Sequence, residues 1–199
     1  MVPTRNAEAT QQRLMDAALS LYAERGYAGT CLDAILKRAS SSKGAFYHHF
    51  DSKEALTAQA LSLRWNVMLE TVEQVWQRGN SPEEKLNLLL DLLEPKCTEG
   101  QVACPIGLLG FESRSLPAPI RQALSEGLMH WSAQVARLLE DLGLEDLKAR
   151  AFAEQLFLIY EGGVLVGRIS GSCGSLCAML DVWRQAVLSQ TCTQVRGEA

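Results

Sequence analysis

Apolar residues recur at helical spacing along almost the whole chain, and no stretch alternates with period two for long enough to form a sheet. The pattern predicts an all-α fold of about nine helices. Leu14, Ala17, Ala18, Leu21 and Tyr22 fall on one helical face, and Arg25 followed by Gly26 marks where that helix stops. Thr30 is the expected cap of a second helix, with Asp33 in capping-box position and Leu32, Ile35, Leu36 and Ala39 as the apolar stripe. After the run Ser40, Ser41, Ser42, a short third helix is predicted from Lys43 to Phe50. A fourth starts at a cap, Asp51 or Ser52, and carries Leu56, Ala60, Leu63, Val67, Val72 and Val75 on one face until Gly79 and Asn80.

Ser81, Pro82, Glu83 and Glu84 combine a cap, a proline at the first helical position and a carboxylate at the third, so a fifth helix starts there and ends at Pro95. Further helices are predicted over 105–113, 119–142, 145–169 and 173–189, with a frayed tail after Gln190. With 199 residues and an apolar fraction of 47%, the chain can fill a core as one substantial domain or as a small domain joined to a larger one. No charged start followed by an apolar stretch and no run of about 18 apolar residues is present, so a cytoplasmic protein without membrane contact is expected.

Charge is uneven along the chain. Residues 1–53 hold seven Lys or Arg and five Asp or Glu, a net of +2, which against −4 for the whole chain leaves −6 on residues 54–199. A basic head of residues 1–53 on an acidic body of residues 54–199 fits a DNA-binding module joined to a domain with another task. The six cysteines, at 31, 97, 104, 173, 177 and 192, follow no metal-site or disulfide-framework spacing, so reduced thiols are expected. Cys173 and Cys177 lie one helical turn apart without further ligands nearby, which reads as packing. His130 has no acid or nucleophile at a telling spacing, and no catalytic group, metal or cofactor is expected.

Two helices joined by a very short turn, the second only about eight residues long, fit a helix-turn-helix whose second helix enters the major groove. On that helix Phe46 and Phe50 share one face, while Lys43, Gly44, Tyr47 and His48 lie on the opposite face. Gly44 is a poor choice inside a free-standing helix, at about 1 kcal/mol relative to alanine, and suits close approach to a partner. Lys53 in the first turn of a helix opposes the helix dipole unless a phosphate sits there.

The run Leu36 to Leu56, LKRASSSKGAFYHHFDSKEAL, resembles the signature of the tetracycline-repressor (TetR) family, and ALSLYAERGYAGT resembles the family's opening. The close match covers about the first quarter of the chain. The resemblance implies a dimeric regulator that binds operator DNA and answers to a small molecule. It places Thr30 near the DNA backbone, Tyr47 and Lys53 on phosphates, and Ser42, Lys43, Gly44, Ala45 and His48 at bases or backbone. The family pattern has glycine and then valine where this chain has Ser40 and Ser41. It also implies that the last two long helices pair with those of a second copy, with Phe152, Leu156, Ile159, Gly163, Val166 and Gly167 as expected contacts. Trp65, Met68, Phe111, Trp131 and Tyr160 are candidate lining for an effector pocket, whose apolar character points to a hydrophobic effector.

Two alternatives accompany this reading. Cys104 precedes Pro105 at a helix start, where the dipole favours thiolate, and Cys97 is a candidate resolving partner, so a thiol switch is one. The other is a helical small-molecule-binding protein or enzyme with a vestigial DNA-binding head.

Overall fold

Helix α1 (Arg5–Arg25) buries the face predicted for it: Leu14, Ala17, Ala18, Leu21 and Tyr22 are all removed from solvent. The computed structural model describes residues 5–93 and 104–194. Among these, α1 is followed by α2 (Leu32–Arg38), α3 (Lys43–His49), α4 (Lys53–Trp76), α5 (Pro82–Leu93), α6 (Pro105–Phe111), a 3-10 turn (Ser113–Ser115), α7 (Ala118–Glu140), α8 (Asp146–Ser170) and α9 (Gly174–Gln194). No strand occurs among the described residues, and α9 continues past Gln190 where a frayed tail was expected.

Local chemistry accounts for the element ends. Ser52, not Asp51, caps α4, its hydroxyl accepting from the Ala55 amide at 3.1 Å. Ser81 caps α5 through the Glu84 amide at 3.1 Å, while the Glu84 carboxylate reaches back to the Asn80 amide at 2.8 Å, one residue beyond the usual capping box. Thr30 does not cap α2. Its hydroxyl instead donates to the Gly26 carbonyl at 2.7 Å, closing the preceding turn, and Cys31 takes the cap position with no side-chain bond to the helix.

The turn between α2 and α3 takes left-handed geometry at a serine, a conformation more usual for glycine. Ser40 has φ 49°, its amide donates to the Lys37 carbonyl at 3.3 Å, and the Ser41 amide donates to the Leu36 carbonyl at 2.9 Å. These two bonds form a Schellman closure. The Ser41 hydroxyl is buried there without a hydrogen-bond partner. Both serines therefore carry a conformational or desolvation cost. Ser40→Gly and Ser41→Ala, combined, are expected to stabilise the chain by about 1–3 kcal/mol in urea unfolding. A lower unfolding midpoint for the pair would contradict this account of the turn.

Among the described residues the chain packs as two units. The first holds α1 to α3, α4 through Asn66, α6, the 3-10 turn and α7 through Gly127. The second holds α4 from Val67, α5, α7 from Leu128, α8 and α9. Helices α4 and α7 each run through both units. In the first unit, Trp65 lies so close to Gly127 that a Cβ there would overlap the indole ring. The buried face of α4 passes through Leu56, Ala60, Leu61, Trp65, Val72 and Trp76, with Val67 exposed, so the two tryptophans set its line.

In the second unit α8 packs on α9. Leu156 is fully buried, Phe152 meets the Trp183 ring edge-on, and the Trp183 indole donates to the Phe152 carbonyl at 3.0 Å. A Cβ at Gly163 would overlap Leu176, and Gly167 is buried. The face expected to meet a second copy is therefore largely covered by α9 of the same chain; Ile159 is half-buried and only Val166 stays exposed. The spacing is right for one helical face, but periodicity does not say which neighbour covers it. A different face of α8, with Leu158, Leu165 and Ile169, and the exposed Met179 and Val182 of α9, remain apolar and uncovered among the described residues.

Candidate nucleic-acid interface

Seven residues make α3 too short to persist alone, so its position rests on anchors at both ends. The Ser42 hydroxyl accepts from the Ala45 amide at 3.1 Å, which assigns Ser42 to capping. Phe46 is fully buried and Phe50 nearly so, with ring centroids 5.8 Å apart. The outward face carries Lys43, Gly44, Tyr47 and His48, all exposed, with Tyr47 60% exposed and its ring braced edge-on by Phe46 at 5.1 Å. Ala45 and His49 are half-buried beside that face.

Among the described residues nothing crowds Gly44: a Cβ there would meet only the Ser42 hydroxyl, at 3.9 Å. The open space faces outward, as a surface for close backbone approach requires. Lys43 pairs with Asp33 across the turn at 3.1 Å, both side chains mostly in water. Such a pair contributes little and is readily exchanged for a phosphate or a base.

Behind α3, the turn from Gly26 to Thr30 and the start of α4 form one network. The Lys53 ammonium donates to the Tyr27 carbonyl at 3.2 Å and the Thr30 carbonyl at 2.8 Å, and lies 3.7 Å from the centre of the Tyr27 ring. Two of its three N–H groups are thus committed inward, and burial pushes its pKa below the usual lysine range. The Tyr27 hydroxyl donates to Glu54 at 3.0 Å, and the hydroxyls of Tyr22 and Thr57 share a hydrogen bond of 2.7 Å. Burial raises the Tyr22 pKa to about 12, which keeps that phenol neutral across the physiological range. Sequence reasoning missed Glu112, whose carboxylate accepts from the Tyr27 amide at 2.8 Å across 85 residues of chain. No local pattern signals a contact of that separation.

The five candidate lining residues are divided between the units: Trp65 and Phe111 in the first, Met68, Trp131 and Tyr160 in the second. Phe111 is 75% exposed, whereas Trp65 and Trp131 are buried. In the second unit Trp131 stands 5.5 Å from Phe157, and its indole N–H is buried without an acceptor. A groove of about 550 Å³ between α7 and α8 in the same unit is lined by other residues, among them Leu128, Met129, Ala136, Phe157 and Leu158, with Arg137 and Arg150 at its charged part.

Cys104 occupies the cap position of α6, as its place before Pro105 predicts, and its side chain makes no capping bond to the helix; Cys97 lies outside the described residues. Cys173 is disulfide-bonded, contrary to the expectation of reduced thiols and of a purely packing role, while Cys31 and Cys177 are free. Spacing along the chain does not report which sulfurs folding brings within bonding distance. Among the described residues no cluster of three or more His, Cys, Asp or Glu side chains is arranged to hold a metal, and no helix is long and apolar enough to cross a membrane.

A model of bacterial regulatory proteins of the tetR family matches residues 14–60, and a model of the LmrA/YxaF-like transcriptional regulator C-terminal domain matches residues 82–182. The HTH-type transcriptional regulator LmrA of Bacillus subtilis is 27% identical over 160 residues, covering 79% of this chain and 85% of that protein. The HTH-type transcriptional repressor DhaR of a Mycobacterium species is 26% identical over 188 residues, covering 91% and 93%. A TetR transcriptional regulator of known structure from Legionella pneumophila superimposes with a TM-score of 0.80 at 20% identity, covering 93% of this chain and 98% of that one. With both halves of the chain matched, this protein belongs to the TetR family and is a DNA-binding transcriptional regulator with an LmrA/YxaF-like C-terminal domain.

Proposed function

We propose that this chain is a repressor acting as a homodimer, with each α3 reading one half of a two-fold operator, and that a hydrophobic small molecule releases it. The observation that carries the DNA-reading part is the outward face of α3, where Lys43, Tyr47 and His48 surround the open space over Gly44. Tyr47 positions the head on a phosphate, while Lys43 and Ala45 contribute sequence preference. Lys53 acts mainly through the turn it holds, with its third N–H left for a phosphate. Repression is supported by the relative DhaR, which is a repressor. For the effector, the groove between α7 and α8, lined in the main by Leu128, Met129, Ala136, Phe157 and Leu158, supports a mainly apolar molecule.

The test is Gly44→Ala, measured against a duplex that the wild-type chain selects from random-sequence DNA. Because the site is open and helical, the variant is expected to be more stable, by up to about 1 kcal/mol. It is also expected to bind the duplex at least tenfold more weakly, since the added methyl occupies the approach surface. Wild-type affinity should fall steeply with salt as phosphates displace counterions. Unchanged affinity in Gly44→Ala would remove the amino-terminal end of α3 from the interface.

A further inference from the structure

Glu112 ends α6 and joins it to the 3-10 turn, where its main chain is fixed: the carbonyl accepts from the Ser115 amide at 2.9 Å and the Ser115 hydroxyl at 2.8 Å. From that point the carboxylate reaches the turn between α1 and α2. One of its oxygens accepts from the amides of Tyr27, at 2.8 Å, and Ala28, at 3.3 Å. The seat exists because residue 26 is glycine. Gly26 has φ 73°, and a Cβ there would overlap the Glu112 carboxylate.

The same turn is held from its other side by Lys53, whose ammonium takes the Tyr27 and Thr30 carbonyls. An anion from α6 therefore binds the donors of the turn while a cation from α4 binds its acceptors. Both sets are charge-assisted and stronger than neutral hydrogen bonds. Helix α2 starts at Leu32, directly after this turn, and leads through the closure at Ser40 into α3. At 1.5 Å per residue α2 is a lever of roughly 10 Å, so a tilt of about 10° at the turn moves its far end by about 2 Å. That displacement exceeds the tolerance of a hydrogen bond to a base edge.

We infer that Glu112 is a positioning residue for DNA binding: its carboxylate, delivered by α6, fixes the Gly26–Thr30 turn together with Lys53 and so sets the orientation of α3, without touching DNA. The inference rests on the reading of α3 as the DNA-contacting helix. It differs from that reading in placing a determinant of affinity 85 residues away in sequence from the turn it controls.

The experiment compares wild type, Glu112→Ala and Glu112→Gln on the duplex selected by the wild-type chain, with amide hydrogen exchange followed at Tyr27 and Ala28. Glu112→Ala is expected to lose about tenfold in affinity, the scale of one charge-assisted hydrogen bond. Its preferred sequence should be unchanged, its unfolding midpoint little altered, and exchange at both amides faster. Glu112→Gln keeps an acceptor oxygen of the same reach and should recover most of the affinity and the protection. Should Glu112→Ala fold poorly, the glutamine variant decides alone, since protected amides with near-wild-type affinity are required of it. Unchanged affinity in Glu112→Ala, or equal losses in both variants that follow the unfolding midpoint, overturns the positioning role. A wild-type chain that selects no duplex overturns the DNA reading itself, an outcome distinct from wild-type selection with an indifferent Glu112→Ala.

Discussion

An Ile169→Glu, Val182→Glu variant is expected to be a monomer at micromolar concentration and to bind its operator at least a hundredfold more weakly than wild type. Ile169 is 78% exposed on α8 and Val182 60% exposed on α9, and with Leu158, Leu165, Val166 and Met179 they leave apolar surface on both helices that nothing among the described residues covers. Large apolar side chains left exposed in such number mark a candidate interaction site. In a two-fold interface each substitution occurs twice, so four carboxylates would enter an apolar contact without partners, each costing several kcal/mol. The loss in operator affinity follows because a monomer contacts one half-site and forfeits the second. Sedimentation velocity with a binding titration checks both parts. A variant that remains dimeric would move the interface elsewhere, and a monomer with undiminished operator affinity would remove the two-fold reading.

Phe46→Ala is expected to cost about 3–5 kcal/mol, the usual range for emptying a buried phenylalanine site. The ring is fully buried and braces both Tyr47 and Phe50, and α3 is too short to hold its shape without it. Since folded proteins are stable by only about 5–15 kcal/mol, the loss should appear as a lower urea midpoint and weakened binding to every DNA sequence alike. Association should survive, because the exposed stripe belongs to the second packing unit. Altered sequence preference with unchanged stability would instead make Phe46 part of the DNA-facing surface.

The head was legible in the sequence because its information is local. The spacing of Leu14, Ala17, Ala18, Leu21 and Tyr22 marked a buried face, and the separation of Phe46 and Phe50 from Lys43, Tyr47 and His48 on a short helix marked an anchored side and an offered side. Caps were legible where hydroxyl and amide lie three residues apart, as at Ser52 and Ser81, whereas the capping role of Ser42, read as a DNA contact, was not. Thr30 was misjudged as a cap because a threonine hydroxyl can also donate, and here the Gly26 carbonyl, presented by a left-handed glycine, was within reach.

Tertiary structure alone decided the relations between distant segments. It turned Gly163 and Gly167 of α8 inward and left Leu158, Leu165 and Ile169 outside. It drew Lys53 inward onto the Tyr27 and Thr30 carbonyls, and it brought Glu112 to the turn that Lys53 holds from the other side. It also paired Cys173 in a disulfide. The sequence by itself determined that the fold is all-α, which face of α1 is buried, where α4 and α5 start, and that a short helix offers a cation and aromatic groups outward. Periodicity reports that a face is buried, whereas the identity of its neighbour depends on how the helices pack, and that is settled by shape and hydrogen bonding between residues far apart in the chain.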